Sequence, residues 1–163
     1  MEYHQLEQPE ELTKKEKEDA MGAYLMMFAA IGAGLPLPII NLIASIIYYF
    51  VQKNNTRFVR FHSLQSLWSQ IPTTLINAGA MYWTLQIFFF DNLKTSDLYF
   101  GYLIMLVILN LAYFTFSIVG AIKARNGRMY YFLFFGKFCY HLVYQIKDDI
   151  NENQNNVNLP PKL

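Results

Sequence analysis

At 163 residues the chain is sized for one domain, and its 15% charged content lies well below the roughly 25% of soluble domains, while 54% is hydrophobic and 17% aromatic. With a formal net charge of +1 and no basic block suitably interleaved with aromatics, a nucleic-acid surface is excluded. The single cysteine, Cys139, rules out an internal disulfide and a Cys-rich metal site.

Charge is distributed very unevenly. Residues 1–19 carry seven acids and three bases, whereas residues 20–144 carry two acids and eight bases. Six of those eight fall in two strips, Lys53, Arg57, Arg60 and Lys123, Arg125, Arg128, separated by long uncharged runs. This is the pattern of a polytopic membrane protein. It divides the chain into an acidic tail and helix start over 1–19, a membrane domain over 20–144 and a polar tail over 145–163.

Residues 1–12 read as loosely attached. Thr13-Lys14-Lys15-Glu16 fits a capping box that starts a helix. The apolar stretch 20–51 would span about 48 Å as one helix, against a hydrocarbon core of about 30 Å. Gly34, Pro36 and Pro38 interrupt it. The reading is a short hairpin, 20–34 and 38–52, with a re-entrant hairpin as the alternative. A third apolar segment runs from Phe58 to Phe90 with Pro72 inside it. Residues 91–97 form a polar loop, and Ser96 or Asp97 caps the next helix. Leu98 to Ile122 is uncharged, and Asn126-Gly127 stops it. Residues 129–144 are aromatic but short, which suits the membrane interface, and the Asn-rich tail beyond reads as disordered.

The fold expectation is therefore all-α: four transmembrane helices, the first two a Pro/Gly-broken hairpin, plus a C-terminal aromatic interfacial segment. The basic strips assign sidedness. Loops with three Lys or Arg each belong in the cytoplasm, while the 91–97 loop has only Lys94. The expected location is a bacterial inner membrane, crossed several times, with both termini on the cytoplasmic side.

Polar residues recur inside the third segment at helical spacing: His62, Ser66, Ser69, Thr73 and Asn77. Asn41 in the second segment and Asn110 in the fourth complete an intramembrane polar face. Such groups serve either as helix–helix bonds or as a polar path for a solute. No phosphate loop, zinc helix or nucleophile elbow occurs, so no catalytic, cofactor or metal residue is assigned and no enzyme activity is expected.

Two stretches carry a resemblance: Phe58-Val59-Arg60-Phe61-His62-Ser63-Leu64-Gln65-Ser66-Leu67, and Ala121-Ile122-Lys123-Ala124-Arg125-Asn126-Gly127. The chain resembles a family of four-span bacterial membrane proteins similar to the channel-forming subunit of the chloroplast inner-envelope protein import machinery. The resemblance implies four helices, cytoplasmic termini and a role near protein translocation. On the residues themselves, Arg57 and Arg60 are expected at anionic headgroups, Phe58 and Phe61 dip into the interface, and His62 and Gln65 open the polar face. With Lys123, Arg125, Gly127 and Arg128 they would form a basic rim. The functional expectation is a non-enzymatic accessory or scaffold subunit of a larger membrane assembly. The alternatives are an oligomeric solute or ion channel and a lipid-handling enzyme. The expected partners are other membrane subunits, anionic lipid and further copies of the chain.

Overall fold

A computed structural model describes residues 3–32, 38–90 and 95–146, and among them the chain is helical apart from one isolated bridge between Tyr3 and Gln145. Helix α1 spans Lys14–Leu25, followed by a 3-10 turn at Met26–Phe28 and a short α2 at Ala29–Gly32. Then come α3 (Pro38–Gln52), α4 (Arg57–Phe88), α5 (Asp97–Arg125) and α6 (Phe135–Tyr144). Gly34 and Pro36 of the expected hairpin break, most of the 91–97 loop and the tail from residue 147 lie outside the described residues.

The capping box sets the start of α1, ahead of the apolar stretch that begins at residue 20. Thr13 Oγ1 accepts from the Glu16 amide at 3.2 Å, and Glu16 Oε2 accepts from the Thr13 amide at 2.7 Å. Two otherwise orphaned donors are thus satisfied. Pro38 opens α3, where its missing N–H costs nothing. Tyr48 Oη on α3 donates to the Asp19 carbonyl at 2.7 Å, tying α3 to α1. Ser96 caps α5 by accepting from the Tyr99 amide at 3.3 Å. The end of α5 is a Schellman turn: Arg128 N donates to Lys123 O and Gly127 N to Ala124 O, both at 2.9 Å. Gly127 supplies the required φ of +70°.

Helix α4 organises the molecule and changes character along its length. From Phe61 to Ser66 every residue is buried, as are Phe58 and Val59. This half is a central strut. One side packs with Tyr24, Ala121, Ala124 and Phe132, the other with Cys139, Val143 and Tyr144 of α6. The expected interfacial placement of Phe58 and Phe61 is corrected here: both are 0% exposed, as is His62 of the polar face, because α1, α5 and α6 surround this half of the helix. Beyond Pro72 the same helix turns apolar side chains such as Leu75 and Phe88 outward.

Residues 3–12, expected to be loose, are docked. His4 N donates to the Tyr144 carbonyl at 2.8 Å, Tyr144 Oη donates to Glu7 at 2.7 Å, and Leu12 is buried. Aromatic contact drives the docking, since Tyr3 stacks on Tyr140.

Helix α5 is long and apolar enough to cross a membrane, and only 11% of its most apolar stretch is buried. Phe100, Ile104, Ile108 and Leu111 are each more than half exposed. An apolar surface of this continuity is untenable in water and is matched to lipid, so the protein is membrane-associated. Among the described residues α5 alone meets that length and composition; α3 is apolar but 15 residues long, and α4 is polar through its first half.

Candidate functional site

The buried polar residues of α4 converge on a node. Tyr24 Oη meets His62 Nδ1 at 2.8 Å and accepts from Gln65 Nε2 at 2.8 Å. Gln65 also donates to the Tyr130 carbonyl at 2.9 Å, and its Oε1 accepts from the Phe132 amide at 3.1 Å. One amide side chain therefore holds both a tyrosine of α1 and the backbone of the loop after α5. His62 is wrapped by Phe58, Phe61 and Tyr24 rings, and its Nε2 has no hydrogen-bond partner. Gly120 makes the node fit, since a Cβ there would come within 2.9 Å of the Tyr24 ring.

Below the node the polar stripe continues as a seam. Ser66 Oγ donates to the Ala23 carbonyl at 2.7 Å, Ser69 Oγ to Ser66 O at 2.8 Å, and Thr73 Oγ1 to Ser69 O at 3.2 Å. Gln70 pairs with Ser45 of α3. Asn77 and Asn110 exchange amide bonds at 3.0 and 3.2 Å, and each also donates to a carbonyl of its own helix. Asn41 is half-buried on α3, one turn before Ser45. These side chains spend their donors on one another or on backbone, which is how polar groups are stabilised away from water.

The basic strips come to one end of the bundle. Arg57 Nη2 lies 3.3 Å from His4 Nε2, and the space around Gly127 is bounded by Pro9 and Lys17, so the N-terminal segment runs between the strips. Lys53, Arg57, Lys123, Arg125 and Arg128 are exposed, and Arg60 is half-buried. Among the described residues the one ion pair is Lys14–Glu18, at 3.8 Å on the α1 surface. The acidic segment therefore docks through tyrosine, histidine and backbone contacts, with no ion pair to the strips among the described residues.

Beside the seam lies a cleft of about 380 Å³ between α4 and α5, roofed by the aromatic stretch 130–135. Neither this cleft nor the role of Gln65 in holding its roof was legible from spacing. Gln65 points across the bundle to a loop 65 residues away. The available signal was indirect: an amide in an apolar helix, followed much later by a run of aromatic residues.

Cys139 is fully buried, and burial pushes its thiol up to about 12, far from the nucleophilic range. No three His, Cys, Asp or Glu side chains among the described residues group so as to hold a metal ion.

The family profile of the magnetosome magnetite crystal formation proteins, MamF/MmsF, matches residues 16–139, from the first turn of α1 into α6 and about three quarters of the chain. No curated protein and no solved structure matches the chain. The profile match overturns the likeness to an import-channel subunit. It also overturns the protein-transport and assembly-subunit roles drawn from that likeness, along with the channel and lipid-enzyme alternatives. The Phe58–Leu67 and Ala121–Gly127 stretches that carried the likeness are the buried strut of α4 and the end of α5, where Ala121 and Ala124 pack inward and Lys123 and Arg125 are exposed. The chain belongs to the magnetosome magnetite crystal formation protein family, MamF/MmsF.

Proposed function

We propose that this protein acts in magnetite crystal formation as a non-enzymatic, multi-pass protein of the membrane around the growing crystal. The profile match over residues 16–139 carries the proposal. The outward apolar faces of α3, α5 and the far half of α4 support the membrane seat. In this reading the α1–α3 hairpin, α4 and α5 make four passes, and both termini lie on the side of the basic strips. Its partners are other proteins of that membrane.

The test is genetic. A magnetite-forming cell lacking this protein should make crystals of altered size or shape by electron microscopy, and the wild-type chain should restore them. Crystals unchanged in number, size and shape would sink the role. Topology is tested separately by cysteines at positions 94 and 126, the first outside the described residues. Labelling from opposite faces of intact cells supports four passes; labelling from the same face refutes them.

A further inference from the structure

Residues 3–12 cross the end of the bundle that carries the basic strips, and three side-chain contacts fasten them there. Tyr3 Oη meets His141 Nδ1 of α6 at 2.7 Å, Tyr144 Oη donates to Glu7 at 2.7 Å, and Arg57 Nη2 of α4 lies 3.3 Å from His4 Nε2. The backbone adds the bond from His4 N to Tyr144 O at 2.8 Å and the bridge from Tyr3 to Gln145. Apolar contact adds the Tyr3–Tyr140 stack and Leu6 packed on the cluster of Phe61, Leu64 and Tyr144. The segment is therefore a strap laid over α6 and the start of α4.

The fastenings respond differently to a proton. The Tyr3–His141 pair survives one, because a neutral Nδ1 accepts from the tyrosine and a protonated Nδ1 donates to it. The Tyr144–Glu7 bond is made to a carboxylate, a class of group that takes up protons only below about pH 5. The Arg57–His4 contact has no such tolerance. A guanidinium only donates, so His4 Nε2 must accept and the ring must be neutral. A proton there removes the acceptor and sets two cations 3.3 Å apart. The other charged or titratable groups around His4 are Arg60, one turn along α4, His141 and Tyr144 on α6, and Glu7 of the strap. Among them Glu7 alone carries negative charge, and Tyr144 engages it. We propose that residues 3–12 form a strap locked by neutral His4 and loosened when that ring is protonated. The released strap accepts a proton that the docked strap excludes. Docking is therefore strongest at high pH and weakens as pH falls through the range in which imidazoles change charge, roughly 7 to 6. Release bares the Tyr140 and Tyr144 rings and the Arg57 side of the basic end. Arg57 is exposed, so solvent screens the repulsion and the effect is modest. The inference is independent of any role in crystal formation.

The test uses the full-length protein in mild detergent with a nitroxide on Gln5→Cys, an exposed strap position, and reads the ratio of mobile to immobile label by electron paramagnetic resonance. The native Cys139 is 0% exposed and stays unlabelled. Between about pH 8 and about pH 5.5 the ratio should rise about three- to tenfold, the worth of one exposed hydrogen bond and a screened repulsion. His4→Gln keeps an acceptor for Arg57 without a charge at either pH, and should hold the ratio at its alkaline value. Arg57→Gln removes the opposing cation and should cut the rise to less than about twofold. His141→Gln should leave the rise intact. A nitroxide on Val107→Cys, exposed on α5, should not respond, which separates strap release from unfolding. Any of four results would overturn the proposal. These are a strap already mobile in alkali, a wild-type rise below about twofold, a rise that survives His4→Gln or disappears in His141→Gln or Glu7→Gln instead, and a Val107 label that loosens in step with the strap.

Discussion

Replacing Gln65 with Leu removes a side chain of α4 that hydrogen-bonds both to α1 and to the aromatic roof. Three hydrogen bonds are lost: those to Tyr24 Oη at 2.8 Å, Tyr130 O at 2.9 Å and Phe132 N at 3.1 Å. Tyr24 keeps its contact with His62, so its hydroxyl is not orphaned. The Phe132 amide and the Tyr130 carbonyl lose this partner in a site where Phe132 is buried, at about 1–3 kcal/mol for each group left unsatisfied. Leucine is nearly isosteric and gives back some apolar burial, leaving a net loss of about 2–4 kcal/mol. For a chain of this size that lowers Tm by roughly 5–15 °C. Thermal unfolding followed by circular dichroism in detergent reads the loss. A cysteine in place of the exposed Leu133 reports the roof by its maleimide labelling rate, which should rise in the variant. A Tm within a degree of wild type together with an unchanged labelling rate would refute the account of Gln65 as the clamp.

Gly127→Ala forces a side chain into φ +70° and places its Cβ 3.1 Å from the Pro9 Cα, so stability should fall by about 1–2 kcal/mol and limited proteolysis should release the N-terminal segment sooner. Asn77→Leu and Asn110→Leu should be non-additive in a double-mutant cycle, with a coupling of about 0.6 to 2 kcal/mol; strict additivity would mean that the amides do not stabilise each other. Thr13→Ala should cost about 1 kcal/mol, read by thermal unfolding at neutral pH. The same box carries a pH dependence. The Thr13 hydroxyl, before any other cause, holds the Glu16 carboxyl below its ordinary value of 4.5. A carboxyl lowered on folding contributes stability above the unfolded value, and that stability fades as pH falls through the folded one. Acidification below about 4.5 should therefore cost the wild type more than Thr13→Ala, and equal losses would remove Glu16 from the account.

Local signals written over three or four adjacent residues were fully legible in the sequence. The Thr13 box, the Ser96 cap and the Asn126-Gly127 stop all form as spacing predicts, because each is closed by hydrogen bonds within one turn. The spacing of Asn77 and Asn110 within their runs placed both near the middle of an apolar helix, but their mutual contact needed α4 and α5 to pack at that level. Phe58 and Phe61 read as interfacial because a ring next to an arginine is amphipathic; α1 and α6 close over those rings only in three dimensions. Residues 3–12 looked free because their partners, His141 and Tyr144, are more than 130 positions away. Composition and periodicity alone determined that this is a helical chain with lipid-facing surfaces and two basic strips, since those depend on the transfer of side chains from water and on local turns. The tertiary structure decided what the polar residues of α4 do and that a cleft lies beside them, because both depend on which distant backbone groups are brought within about 3 Å of a given amide.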